Sequence, residues 1–118
     1  MTGWTVAFFE DFKVEFDEFP EAVQNAILAR AKLLERVGPQ LGRPYADTLA
    51  GAKHKNMKEL RCSTDDGVWR IAYAFDPKRR AVLLVAGDKS GVAERRFYKQ
   101  FIAKADERFE VHLGEMKG

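Results

Sequence analysis

The sequence predicts a single α+β domain, with helical patterns near both ends and a run of strands joined by short turns between them. Its 118 residues fit one domain, 1–118, and its apolar fraction of 46% is ordinary for a globular protein. From residue 58 onward, short apolar runs alternate with turn residues, which indicates antiparallel strands. We therefore expect an antiparallel or mixed sheet of about four strands, an N-terminal helical hairpin and a C-terminal helix.

The N-terminal region predicts one strand followed by two helices. Aromatic and β-branched residues dominate residues 4–9, which favours a strand. Phe12, Phe16 and Phe19 then follow at helical spacing, and this stripe is expected to lie in the core. A second helix is expected to begin at Pro20, where a missing N–H costs nothing, and to end at Gly38-Pro39.

The second half of the chain predicts three strands and a closing helix. Residues 38–57 before them are expected to be irregular. Asp66-Gly67 is expected to be a two-residue hairpin turn, and Pro77 presets the next turn. The predicted elements are strands at 58–63, 68–76 and 81–88, then a helix from Val92 to about Phe109 and a flexible tail over about 111–118.

The predicted turn places two arginines on one face of the hairpin. With Asp66-Gly67 as the turn, Arg61 lies opposite Ala72 and is a diagonal neighbour of Arg70, roughly 7–8 Å away at the backbone. This face is expected to be open to solvent. The opposite face is expected to pack into the core and carries Trp69, Ile71, Tyr73 and Phe75.

Two guanidinium groups so close together favour an anion site, because the guanidinium fork matches phosphate oxygens. The alternative is a surface ion pair in which Glu59 neutralises them, which is common and worth little. Lys89 follows the last strand, where it is either a third cation for the same anion or a solvated loop residue. Between residues 49 and 64, four basic residues stand against one acidic residue, and such a local basic patch indicates a polyanionic partner better than the net charge of +2 does.

Other chemistry is excluded or weakly indicated. The only cysteine, Cys62, cannot form an intramolecular disulfide and is expected to be a buried small hydrophobe. Two histidines, His54 and His112, are too few for a metal site, so neither metal nor cofactor is expected. No apolar run approaches the roughly 18 residues of a membrane span, and no signal-peptide pattern precedes residue 11, so we expect a cytoplasmic protein.

The order of these elements, together with several short stretches, resembles the RelE superfamily of bacterial toxins, and within it the phage-derived HigB-like branch. The resemblance covers residues 4–110. The matching stretches are LGRP at 41–44, KELR at 58–61, WRIAY at 69–73, AVLLVAGDKS at 81–90 and the closing helix.

This resemblance implies the toxin of a type II toxin–antitoxin pair, which enters the ribosomal A site and cuts translated mRNA without a metal. In that reaction the ribose 2′-hydroxyl attacks the adjacent phosphate, leaving a cyclic phosphate and a free 5′-hydroxyl. The chemistry requires a group that activates the hydroxyl, cations for the developing charge and an acid for the leaving oxygen.

The resemblance also implies roles for the candidate residues. Arg61 and Arg70 would stabilise the charged transition state, with Lys89 as a further cation at the scissile phosphate. His54 would hold RNA or act as base or acid. Tyr98 and His112 are further candidates for proton transfer, with a structural role expected for each. The side chains expected to hold RNA are Lys53, Lys55, Lys58, Arg79 and Arg80.

The implied partners are the ribosome with its mRNA and a cognate, HigA-like helix-turn-helix antitoxin, through which alone the chain would contact DNA. No membrane partner is expected. The residues leave one alternative open, a non-catalytic RNA- or ribosome-binding protein or a phage-derived regulator that keeps the fold. That alternative predicts ribosome binding without cut mRNA ends.

Overall fold

A computed structural model, which describes residues 3–117, shows a five-stranded mixed sheet with three α-helices packed on it. The sheet order is β1-β5-β4-β3-β2, with β1 parallel to β5 and the other neighbours antiparallel. The strands are β1 (Thr5–Phe8), β2 (Ala46–Thr48), β3 (Lys58–Thr64), β4 (Gly67–Phe75) and β5 (Arg80–Asp88). The helices are α1 (Glu10–Asp17), α2 (Glu21–Val37) and α3 (Glu94–Lys117), with a 3₁₀ turn at Gly38–Gln40.

The predicted α+β class is confirmed, but the sheet has five strands instead of about four. The additional strand is β2, which lies within residues 38–57, predicted to be irregular. It pairs with the first half of β3, where Asp47 lies opposite Glu59. Three residues between glycines and prolines carry too little alternation to indicate a strand, so only the main-chain pairing with β3 reveals it.

The two N-terminal helices bury the residues that their spacing predicts. Phe12 and Phe16 are buried in α1, so the aromatic stripe is confirmed as core. Helix α2 ends at Gly38, whose φ is 71° and where any Cβ would overlap the indole of Trp4. The buried side of α2, with residues three or four positions apart, consists of Val23, Ile27, Ala31 and Leu34.

The hairpin of β3 and β4 is shifted by two residues from the predicted register. Residues 65–66 form the turn, so Arg61 lies directly opposite Arg70 and not opposite Ala72. Because the shift is an even number, each side chain stays on the face that the alternation predicts. Gly67 is the first residue of β4 and not part of the turn. A Cβ at this position would come 2.7 Å from the Trp69 indole nitrogen.

The face that carries Arg70 is not open to solvent, and the prediction that Arg70 faces outward is wrong. Arg70 is only 5% exposed, and Ala72 and Ala74 on the same face are buried. Helix α3 covers this face and approaches closely because β5 has Gly87 opposite Arg70. A Cβ at Gly87 would lie 2.8 Å from the ring of Phe97. Small residues on one face of a strand are compatible with a closely packed helix and also with exposure to solvent. The alternation of side chains therefore could not show which of the two covers this face.

Helix α3 is longer than predicted. It continues to Lys117, eight residues past Phe109, so residues 111–117 belong to the helix and do not form a separate tail. Leu113 packs against the core, and His112 contacts the carboxylate of Asp76 at 2.9 Å. No helix within residues 3–117 has the length and apolar character needed to cross a membrane.

Candidate nucleic-acid interface

A cleft of about 480 Å³ opens beside β3, just past the point where β2 stops pairing with it. Arginines from four different segments line this cleft, and we call it the arginine cleft. They are Arg30 of α2, Arg43 of the loop before β2, Arg61 of β3 and Arg70 of β4. The remaining lining residues are Pro44, Cys62, Ser63 and Val68.

The centre of the cleft holds two like charges that share one carboxylate. Arg61 and Arg70 lie directly opposite each other on β3 and β4. Like charges in this arrangement destabilise the pairing of the two strands. Glu59 reduces the repulsion, because its Oε2 lies 3.4 Å from Arg61 Nη1 and its Oε1 lies 4.0 Å from Arg70 Nε. Glu59 therefore contacts both arginines, though as a buried carboxylate and not as the surface ion pair expected, and Asp47 lies 3.9 Å from Arg61 Nη1.

The guanidinium of Arg70 is short of acceptors. Its Nη1 donates a hydrogen bond to the carbonyl oxygen of Trp69 at 3.0 Å. Its Nε is buried and finds no hydrogen-bond partner among residues 3–117. Such an unmade hydrogen bond costs about 1–3 kcal/mol, and more for a charged group. The carboxylate oxygen Glu59 Oε1 lies 4.0 Å away, which is beyond hydrogen-bond distance.

The buried Glu59 is hydrogen-bonded to the half-buried Tyr98 of α3. The Tyr98 hydroxyl donates to Glu59 Oε1 at 2.9 Å. Burial raises the pKa of Glu59, and the Tyr98 hydrogen bond and the charges of Arg70 and Arg61 only partly oppose it. Burial and the bond to Glu59 also raise the pKa of Tyr98, so the phenol stays protonated and remains a donor. The sequence predicts Glu59 only as a surface neutraliser, whereas in the structure Glu59 is buried.

Lys89 lies at the same end of the sheet as the two arginines. Its backbone N–H donates to the carbonyl of Val68 at 2.8 Å, and its Nζ lies 5.8 Å from the centroid of the Tyr98 ring. The Nζ pairs with Glu94 at 3.1 Å, but that carboxylate is 74% exposed. Exposed pairs are worth about 0–1 kcal/mol, so Lys89 can exchange Glu94 for another anion.

His54 is not placed with the arginines. Its Nε2 lies 3.1 Å from Glu110 and its ring packs edge-on against Phe109. Its backbone N–H donates to the Asp106 carboxylate at 3.2 Å. Tyr98 is the α3 residue that contacts Glu59 beside the arginines. The three α3 residues that His54 contacts lie 8–12 positions after Tyr98, which is about 12–18 Å farther along the helix. The structure therefore does not bring His54 to the arginine cleft, because α3 anchors its loop elsewhere.

The predicted RNA-holding lysines are dispersed. Lys53 and Lys55 are exposed in the loop of His54, and the Lys53 backbone N–H donates to Asp106. Lys58 begins β3 and donates from Nζ to the carbonyl of Pro39 at 3.0 Å. These side chains do not line the arginine cleft, and contact with RNA through them stays a prediction.

Arg79 and Arg80 lie at the opposite end of the sheet. Arg80 begins β5, seven residues before the partner of Arg70, which is about 23 Å along a strand. Arg80 pairs with Asp76 at 2.9 Å, and the Arg79 guanidinium lies 4.3 Å from the ring centroid of Trp4. Neither reaches the cleft, so they could bind only a separate part of an extended RNA.

Two arginines of the cleft are not among the site residues that the sequence predicts. Arg30 donates from Nε to the backbone carbonyl of Arg61 at 2.7 Å, and Arg43 pairs with Asp47 at 2.7 Å. The hydrogen bond from Arg43 and one from the Thr48 backbone lower the pKa of Asp47. Arg43 lies within LGRP, one of the stretches that carry the family resemblance, but no local pattern places either arginine at the cleft, because a helix and a loop bring them to β3 only in the folded chain.

Cys62 lies in the cleft wall but is buried, and burial raises the pKa of its thiol, as expected for a packed hydrophobe. Within the part of the chain that the structure describes, no group of three or more His, Cys, Asp or Glu residues could hold a metal ion.

Comparison with known proteins gives both a family match and named relatives. Residues 14–110 match the family model described as phage-derived protein Gp49-like (DUF891). The chain is 39% identical over 116 residues to a Mycobacterium tuberculosis protein named "Putative toxin HigB2", covering 98% of this chain and 57% of that protein. It is 45% identical over 86 residues to "Putative toxin HigB3" of the same organism, covering 73% of each chain.

Proposed function

This chain belongs to the Gp49-like family of phage-derived proteins, and from that premise we propose that it is a toxin that cleaves translated mRNA on the ribosome. The membership confirms the resemblance to the phage-derived, HigB-like branch of toxins. The names of the two relatives support a toxin role within a toxin–antitoxin pair. The arginine cleft supports a phosphodiester as the group on which the toxin acts.

The observation that carries this proposal is the pair of opposed arginines with incomplete neutralisation. Arg61 and Arg70 share Glu59, Asp47 lies 3.9 Å from Arg61, and the buried Nε of Arg70 has no hydrogen-bond partner among residues 3–117. A phosphate between the two guanidinium groups would relieve their repulsion and accept hydrogen bonds from both. Charge that develops on the phosphate during cleavage would strengthen the same contacts, which is the condition for catalysis.

The proposed reaction is an attack of the ribose 2′-oxygen on the adjacent phosphorus. The new 2′-O–P bond forms as the P–O5′ bond breaks, and the 2′-hydroxyl loses a proton while the leaving 5′-oxygen gains one. Arg61 and Arg70 would hold the equatorial oxygens, and Lys89 would add a third positive charge beside them. Glu59 and Tyr98 would act as positioning residues, since Tyr98 donates a hydrogen bond to Glu59 and Glu59 contacts the Arg61 guanidinium.

Primer extension on an mRNA in a purified translation system tests this function directly. New 5′ ends are expected when ribosomes are present and not when they are omitted. Arg61→Gln is expected to remove most of the cleavage, whereas Arg36→Gln, an exposed change on α2, serves as the matched control. Absence of new ends at protein concentrations that bind ribosomes would contradict the nuclease and favour the non-catalytic binding protein.

Replacing Glu59 by glutamine is expected to separate binding from turnover. The variant keeps an acceptor for Tyr98 but removes the negative charge that Arg61 and Arg70 share, so anion binding tightens while the guanidinium groups lose their alignment. We expect the maximal cleavage rate to fall by about 10–100-fold with no rise in the half-saturating concentration. A rate equal to that of the wild type would contradict a positioning role for Glu59.

We also infer a cytoplasmic helix-turn-helix antitoxin as the partner that keeps this protein inactive. The toxin names of the relatives and the family resemblance support it. Expression of the chain alone is expected to arrest growth, and co-expression of a small helix-turn-helix protein encoded beside it is expected to restore growth. Restoration by an unrelated helix-turn-helix protein would contradict a cognate pair.

A further inference from the structure

Arg30 lines the arginine cleft, and its guanidinium lies over the ring of Tyr45, which follows the lining residue Pro44 in the chain. We propose that Arg30 and Tyr45 form a subsite for the nucleotide next to the scissile phosphate, with its phosphate on Arg30 and its unpaired base on the ring of Tyr45. This inference rests on the proposed function, and it assigns single-stranded RNA as the polymer that this part of the cleft accepts.

Arg30 has the properties of an anion-binding side chain. Its Nε donates to the backbone carbonyl of Arg61 at 2.7 Å, which holds the guanidinium at the cleft wall. The ion pairs among residues 3–117 leave Arg30 without a carboxylate partner. A guanidinium that is held in place and lacks a counter-charge loses little conformational entropy when it binds a phosphate.

Tyr45 offers a partly exposed aromatic ring in cation–π contact with that guanidinium. The Arg30 Cζ lies 5.0 Å from the centroid of the Tyr45 ring, and Tyr45 is 40% exposed. An exposed aromatic ring next to an arginine is the usual platform on which proteins stack an unpaired base. A free phosphate or an acidic peptide would use Arg30 but would leave the ring of Tyr45 without a role.

The subsite is tied to the proposed catalytic pair through the backbone of a single residue. The Arg61 N–H donates to the Tyr45 carbonyl at 2.8 Å, and the Arg61 carbonyl accepts from Arg30. A nucleotide bound on Arg30 and Tyr45 would therefore lie beside the backbone of Arg61, in the same cleft as the guanidinium groups of Arg61 and Arg70.

The charges of the cleft also favour a chain of phosphates over a single anion. Four arginines line it, and the carboxylates that contact them are Asp47 and Glu59, so two positive charges are left over. Arg43 is 70% exposed at the rim and pairs with Asp47, so it can turn toward an incoming strand.

The inference is tested by binding of a fluorescein-labelled, fully 2′-O-methylated RNA oligonucleotide, which cannot be cleaved by 2′-hydroxyl attack. Anisotropy is measured at several salt concentrations with the full chain. Arg30→Gln is expected to weaken binding about 5–10-fold. It is also expected to reduce the slope of the logarithm of the binding constant against the logarithm of the salt concentration by about 0.7, the contribution of one phosphate contact on a single strand. Arg30→Lys is expected to keep the slope, and Arg36→Gln is the control for charge on the same helix.

Substitutions at Tyr45 test the stacking. Tyr45→Leu is expected to weaken binding about 5–100-fold, whereas Tyr45→Phe keeps it, because the ring and not the hydroxyl carries the contact. A fully abasic strand of the same length is expected to bind wild type and Tyr45→Leu equally. Thermal unfolding of each variant establishes that the fold is intact.

The outcomes separate this inference from the nuclease itself. Arg30→Gln indistinguishable from Arg36→Gln, an equal loss for Tyr45→Leu on the abasic strand, or no binding by the wild type would each overturn the subsite. None of these results changes the primer-extension experiment, whose ribosome-dependent 5′ ends decide the proposed function independently.

Discussion

Replacing Arg70 by lysine is expected to lower the rate of ribosome-dependent mRNA cleavage by about 10²–10³-fold, the usual loss when a transition-state donor is removed. Lysine keeps the positive charge but lacks the planar fork that can contact two phosphate oxygens at once. Because Arg70 is buried against α3, alanine would leave a cavity and one cation fewer beside Glu59, so lysine is the better test.

The measurement is a single-turnover rate from primer extension on programmed ribosomes, with urea unfolding to confirm that the variant is folded. Arg95→Lys makes the same exchange at an exposed position at the start of α3 and is expected to have no effect. Cleavage by Arg70→Lys at the rate of the wild type would rule out the arginine pair as the proposed catalytic centre.

Replacing Asp76 by asparagine is expected to lower the free energy of unfolding by about 2–4 kcal/mol, as breaking a buried ionic network does. The Asp76 carboxylate is fully buried and accepts hydrogen bonds from the backbone N–H groups of Lys78 and Arg80 at 2.9 and 3.0 Å. It also accepts from Arg80 Nε and from His112 Nε2, each at 2.9 Å. These bonds join the turn between β4 and β5 to α3.

The same substitution is expected to matter less in acid. Burial acts to raise the pKa of Asp76, but the hydrogen bonds from His112 and Arg80 outweigh burial and hold this pKa below 3.8. A carboxyl with a depressed folded-state pKa stabilises the protein above its unfolded-state pKa, and that stabilisation is lost as the pH falls through the folded-state value. The difference between wild type and Asp76→Asn should therefore be largest near neutral pH and shrink below about pH 3.8.

Urea unfolding of both proteins at about pH 7 and about pH 3 measures this difference. Asp66→Asn, an exposed carboxyl in the hairpin turn, is the control and is expected to change stability by less than about 0.5 kcal/mol. An Asp76→Asn difference that is the same at both pH values would show that the ionised carboxylate is not what stabilises the turn.

Local periodicity was sufficient for much of the fold and for part of the candidate site. The spacing of Phe12, Phe16 and Phe19 indicated a core helix, and alternation along β3 and β4 placed Arg61 and Arg70 on one face. That placement survived a register error of two residues, because an even shift leaves every side chain on its own face. The wrong register came from reading Asp66-Gly67 as the turn, when Gly67 is needed inside the strand beside Trp69.

By itself, then, the sequence determined the α+β class, the face shared by the two arginines and the family resemblance, since each depends on residues close together along the chain. Only the tertiary structure decided that α3 buries Arg70 and that His54 contacts α3 instead of lining the cleft. It also decided that Arg30 hydrogen-bonds to the backbone of Arg61. The last two outcomes depend on hydrogen bonds between residues 56 and 31 positions apart, and α3 begins 24 positions after Arg70. The physical reason is that helix packing depends on shape complementarity between distant segments, which leaves no periodic signal in either segment alone.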